Sequence, residues 1–80
     1  MNIPGQQASW LPIDWKDLEL QIIRKVMGMR NQGIPMTRDK LCNRADITYD
    51  AILLATRRNT MRIKTINKLK KIGINVKILT

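Results

Sequence analysis

Residues able to stop a helix recur along this chain at short intervals. Asn31-Gln32-Gly33, Asp46-Ile47, the segment from Asn59 to Met61, and Gly73 each close an apolar stretch of helical period. Asp14, Thr37 and Thr48 stand where the next helix needs an N-cap. Such punctuation permits only short helices. Isolated helices shorter than about 12–15 residues are marginal in water, so those after Gly33 must bury an apolar stripe against their neighbours. With 80 residues there is room for one domain, and a chain of that size buries only about 60% of its unfolded surface.

The first helix is expected over 14–31, with Asp14 as cap and Asp17 three positions on, as a capping-box partner would stand. Leu18, Ile22, Val26 and Met29 form its inward stripe, and Trp15, Leu20, Ile23 and Met27 widen the apolar arc beyond one face. An arc that wide predicts cover on two sides, by an N-terminal arm or a partner subunit. A second helix follows the Thr37 cap, with Asp39 in its first turn and Leu41, Cys42 and Ala45 inward. The third runs from the Thr48 cap to Arg57 or Arg58. A fourth spans roughly Arg62 to Ile72, with Ile63, Ile66, Leu69 and Ile72 facing the core and Gly73 at the position after the cap that tolerates positive φ. In the tail, Ile74, Val76 and Ile78 alternate with Asn75 and Lys77, which predicts a strand over 74–79. That strand has no visible partner in the chain and is expected to pair across a dimer axis. Residues 1–13 contain two prolines, a glycine and no charge, and read as an arm, with Trp10, Leu11 and Ile13 too apolar to stay in water. The organisation expected is therefore an arm over 1–13 followed by a mainly α domain over 14–80, of four or five helices and a short C-terminal β-strand.

Charge narrows the partner. Fifteen basic residues oppose six acidic ones, and the acids Asp14, Asp17, Glu19, Asp39, Asp46 and Asp50 all lie in the first fifty positions. The last thirty carry Arg57, Arg58, Arg62, Lys64, Lys68, Lys70, Lys71 and Lys77 without an acid. Such asymmetry points to a polyanion. Histidine is absent and Cys42 is the single cysteine, so no zinc set, internal disulfide, metal or cofactor is expected, and the lone thiol suits a reducing cytoplasm. No apolar run approaches the roughly 18 residues of a membrane span, and the first ten residues lack the pattern of a secretory leader. No nucleophile with a base, paired carboxylates or glycine-rich phosphate loop is found, so no enzyme is expected.

Residues 37–52, TRDKLCNRADITYDAI, have the anatomy of a helix-turn-helix: a capped short helix, a tight turn, and a second capped helix. Small residues, Ala45 or Cys42, stand where the helices must touch, and Ile47 and Ile52 supply the apolar contacts of the turn and of the second helix. The stretch resembles the lambda-repressor-like superfamily, the Cro and phage-repressor type. Met36-Thr37, Leu41, Arg44-Ala45, Ile47-Thr48, Ile52, Arg57-Arg58-Asn59, Ile63, Thr65-Ile66, Leu69 and Ile72-Gly73-Ile74 carry the likeness over about 22–74, ungapped from Thr37 onward and with two extra residues between Gly33 and Thr37. Where that family usually has glycine in the turn, this chain has Asp46, and Leu53 and Leu54 stand where members mostly show polar side chains.

The resemblance implies that the start of the third helix enters the major groove, with Thr48, Tyr49, Asp50, Leu53 and Leu54 at base edges. Tyr49 is suited to a base, a phosphate or a thymine methyl, and Asp50 to a cytosine amine, although an acid in a first helical turn also suits the helix dipole. Arg38 matches a position reaching phosphate or outer base pairs, and Arg57, Arg58, Asn59, Arg62 and Lys64 surround a loop that would clamp a phosphate strand. The implied function is a sequence-specific duplex-DNA-binding regulator, a Cro-like or phage repressor acting as a homodimer in the cytoplasm of a bacterial or phage-infected cell. Two rivals stay open: a DNA-binding antitoxin whose first helix or arm grips a protein partner, and a basic RNA-binding protein.

Overall fold

The computed structural model describes residues 10–79. In chain order the elements are β1 (Trp10–Pro12), α1 (Trp15–Asn31), α2 (Arg38–Arg44), α3 (Tyr49–Arg58), β2 (Thr60–Arg62) and α4 (Ile63–Lys70). The protein is mainly α. Of the expected arm, residues 1–9 lie outside the described part.

Three helix starts form as the sequence requires. The Asp14 carboxylate accepts from the Asp17 amide at 3.2 Å, the Thr37 hydroxyl from that of Lys40 at 3.2 Å, and the Thr48 hydroxyl from that of Ala51 at 3.3 Å. Each cap satisfies an amide that has no partner inside its helix. The ends of α1, α2 and α4 share a second device. Gly33, Asp46 and Gly73 adopt φ of 85°, 61° and 85°. The amide of the isoleucine that follows each then reaches back five residues: Ile34 to the Met29 carbonyl, Ile47 to Cys42, and Ile74 to Leu69, at 3.0–3.2 Å. These are Schellman-type closures, which satisfy terminal carbonyls and fold an apolar residue back over the last turn. Ile74 is fully buried, Ile47 is half-buried and Ile34 stays exposed.

The core draws on every helix and on β2: Ile13, Leu18, Ile22 and Val26 from the arm and α1; Met36, Leu41, Cys42 and Ala45 around α2; Ile52 and Ala55 from α3; Met61 from β2; Ile66, Leu69 and Ile74 from α4 and its exit. No polar side chain is buried among the described residues. The inner stripe of α1 is as expected, with Met29 packed at its edge. The wider arc finds no second cover among the described residues: Trp15 and Ile23 are half-buried, while Leu20 and Met27 are exposed. Ile63 also departs from expectation. It opens α4 directly after β2 and faces solvent, because the stripe of that helix begins only at Ile66.

Two pairings were not expected. The segment after α3 is no simple break: β2 pairs antiparallel with β1, Leu11 opposite Met61 and Trp10 opposite Arg62. The tail finds its partner in the same chain rather than across a dimer axis, since Ile78 bridges to Ile13. Its ladder stays short for a chemical reason. The Leu79 amide donates to the Pro12 carbonyl at 2.9 Å, and Pro12 has no N–H with which to return the bond. Only the Asp14 amide to the Lys77 carbonyl, at 2.9 Å, extends it. The strand expected over 74–79 is thus a single bridge. Higher in the tail a side chain takes the place of a strand. The Gln21 amide donates to the Asn75 carbonyl at 2.6 Å and accepts from the Asn75 amide at 3.0 Å, a pairing that imitates a β-ladder. No helix among the described residues is long and apolar enough to cross a membrane.

Gln21→Ala removes both tail contacts of that amide while leaving α1 a good helix former. Each is an exposed hydrogen bond, so the loss is expected at about 1–2 kcal/mol in chemical denaturation, with faster hydrogen exchange at Asn75.

Candidate nucleic-acid interface

The geometry begins at the connection of α2 to α3. Four residues, 45–48, join the helices, and three constraints fix them. Asp46 takes the left-handed conformation that an Asp side chain tolerates. Ile47 folds back onto Cys42, and the ammonium of Lys68 on α4 donates to the Asp46 carbonyl at 3.1 Å, with the carboxylate at 3.5 Å. That ion pair is exposed and contributes at most about 1 kcal/mol. Its structural effect is to brace the turn against α4. Ile52 and Ala55 then seat α3 in the core.

Burying 52 and 55 sends Asp50, Leu53, Leu54 and Arg57 to the opposite side, at the i, i+3, i+4, i+7 spacing of one helical stripe. All four are exposed. This face carries one acid, two leucines and one cation, so a partner meeting it touches both apolar and charged groups. Leu53 and Leu54, each exposed by about two fifths, are neither of them core.

The other expected site residues divide into two groups. Tyr49 does not project outward beside Asp50. It is half-buried, packs on the core cluster and faces α1 across a crevice shared with Ile23 and Arg38. Its hydroxyl accepts from the Arg38 guanidinium at 3.2 Å, tying the first turn of α2 to that of α3. The reason lies in its place as the first residue of α3, one turn before Ile52 and Leu53, where the flank of the helix meets α1. Thr48 is likewise occupied, its hydroxyl spent on the cap. The second group lies beyond the C-terminal end of α3. Asn59 closes the helix in the left-handed conformation, φ 58°, and its carbonyl accepts from the Ile13 amide at 3.0 Å. Arg57, Arg58, Arg62 and Lys64 are exposed around this corner. Among the described residues none of the four has a carboxylate within 4.0 Å, the one ion pair being Lys68 with Asp46.

Trp10 was not among the expected site residues, yet it stands here. Its indole lies under the Arg62 guanidinium, 4.8 Å from Cζ to the ring centroid, a cation–π contact. Arg58, Leu54 and Arg62 line a groove with it. Nothing in the local sequence announces this, because β1 and β2 are paired across about fifty positions. Cys42 is buried, and burial first, then the charge of Asp39, raises its thiol pKa above the ordinary thiol value. Among the described residues no cluster of three or more His, Cys, Asp or Glu side chains forms a metal site. No family model matches the sequence, and no curated protein or solved structure matches it either.

Two outcomes follow from this geometry. Tyr49→Phe loses only an exposed hydrogen bond and is expected to change stability by about 0.5 kcal/mol or less, whereas Tyr49→Ala also vacates packing and is expected to cost about 2 kcal/mol in urea melts. Because the folded thiol of Cys42 holds its proton more tightly than the unfolded one, stability is unaffected by it at neutral pH and falls as pH rises through the alkaline range in which the unfolded thiol ionises. Cys42→Ser should flatten that alkaline decline.

Proposed function

We propose that this protein is a sequence-specific duplex-DNA-binding transcription regulator of the repressor kind, and that it is not an enzyme. In this reading α2 and α3 form a helix-turn-helix of the lambda-repressor-like type, with α3 presenting its exposed stripe to the major groove. One observation carries the reading. The corner formed by the end of α3, β2 and the start of α4 holds Arg57, Arg58, Arg62 and Lys64 with no carboxylate partner among the described residues, and it adjoins a seated helix whose outer face is free of core duties. Four uncompensated cations on one corner suit a phosphate backbone, and side chains on a rigid helix beside them suit base edges. An RNA-binding role draws less support, because Trp10, Trp15 and Tyr49 are the three aromatics of the chain, and the first is stacked with Arg62 while the others are half-buried.

Base readout is assigned to Asp50, Leu53 and Leu54, and phosphate contact to Arg38, Arg57, Arg58, Arg62 and Lys64. Tyr49 and Thr48 act by holding the helix. Repressors of this kind bind as dimers on two-fold sites. The tail is engaged in its own chain, so the seam is placed on the outer side of α1, where Leu20 and Met27 are exposed one above the other two turns apart. The same face would serve an antitoxin in gripping a protein partner.

Selection from a random duplex pool should enrich a palindrome, and affinity for it should fall with salt at a log–log slope of roughly −0.9 per phosphate neutralised. Arg57→Gln and Arg58→Gln should each flatten that slope by about one unit per protomer, so roughly two for the dimer, and weaken all sequences alike, while Leu53→Ala should cost roughly 1–3 kcal/mol on the selected site and little on random duplex. Affinity independent of salt contradicts the proposal. Sedimentation should give a dimer at micromolar concentration, and Leu20→Glu combined with Met27→Glu a monomer.

A further inference from the structure

The groove between α3 and the β1–β2 ribbon has a volume of about 250 Å³. Its floor is buried Ala55 and Met61, its walls are Leu54 and the indole of Trp10, and Arg58 and Arg62 stand at its exposed rim. Three properties define what it would take. The floor and walls are apolar, and the indole is held in place by Arg62 stacked on it, so the surface offered is rigid and flat on one side. Both charges at the rim are positive, neither has a carboxylate partner among the described residues, and no acidic residue lines the groove. The volume is below the roughly 300–1,000 Å³ of pockets that take drug-sized ligands, which limits the occupant to one or two rings.

We propose that this groove binds a small aromatic carboxylate, its ring against Leu54, Ala55, Met61 and the indole, and its carboxylate toward Arg58 and Arg62. Guanidinium forks match a carboxylate in geometry as well as charge. A nucleotide fits less well, because among the described residues no Asn, Gln, Asp or Glu lines the groove, and only the hydroxyls of Thr60 and Thr65 stand beside the arginines to meet a base edge. The inference stands on the groove alone and holds whether or not the chain binds DNA.

The test is a heteronuclear NMR titration of the full chain, without DNA, by naphthoate, with naphthylmethanol as the uncharged analogue and AMP as the nucleotide. Naphthoate should give saturable shifts centred on the Trp10 indole N–H, Leu54 and Ala55. The alcohol should bind roughly tenfold more weakly, the ratio that one charge-assisted hydrogen bond carries, and AMP should give no saturable shift there. Arg62→Gln should weaken naphthoate by a similar factor. Ala51→Leu is the second variant. Ala51 lines the groove from an exposed helical position, so leucine there fills the space without touching the core and is well tolerated in a helix. It should abolish binding with no loss of thermal stability. Absence of a saturable shift, equal affinity for acid and alcohol, AMP binding as tightly as naphthoate, or unchanged binding in Ala51→Leu would each overturn the assignment.

Discussion

The fold depends on two consecutive backbone amides. The Ile13 N–H donates to the carbonyl of Asn59, at the end of α3, and the Asp14 N–H donates to that of Lys77, in the tail. A single extended segment therefore fixes the start of α1, the exit of α3 and the C-terminal tail relative to one another. Ile13 itself is 1% exposed, so the segment is held by burial as well as by hydrogen bonds, and removing that side chain would cost a few kcal/mol of transfer and cavity energy. In a small domain with total stability of about 5–15 kcal/mol, that is a large share. The arrangement of α3 follows from it. Its N-terminal end is set by the braced turn at Asp46, and its C-terminal end by the strand pairing that begins at Thr60.

What could be read in advance was whatever is decided within four or five residues. Asp14, Thr37 and Thr48 cap because an oxygen three residues before a free amide is a local matter, and all three do so. Asp46 and Gly73 turn left-handed for equally local steric reasons. The doublets Gly33-Ile34, Asp46-Ile47 and Gly73-Ile74 were in plain view too, and they mark three of the four helix ends. The β1–β2 pairing was not legible. Strands of three residues are too short for period two to show, and their partners lie about fifty positions apart. That long-range pairing is also what gives the tail its cis partner and brings Trp10 to Arg62, so three separate surprises have one origin. Tyr49 turned inward for a different reason. Its place in α3 was read correctly, but the flank it occupies is decided by where α1 crosses, which the sequence of α3 does not encode.

The same architecture separates the tasks that the proposed function requires. Seating falls to Ile47, Ile52 and Ala55, and positioning to the Thr48 cap and the bond between Arg38 and Tyr49. That leaves Asp50, Leu53, Leu54 and Arg57 without an internal role. Asp50 opposes the phosphate backbone at one end of the stripe, so affinity in this reading comes from the other end and the corner beyond it, at Arg57, Arg58, Arg62 and Lys64. The exposed leucines then favour thymine methyls over hydrogen-bonding edges.

The central claim is that duplex DNA is met by the outer face of α3 and the basic corner beside it. The most direct measurement is the pattern of backbone amide shifts on titrating the chain with the duplex selected from a random pool. The account predicts the largest shifts at 48–58 and 62–64, with Leu20 and Met27 on the outer side of α1 moving little. Shifts concentrated on α1 and absent from α3 would contradict it.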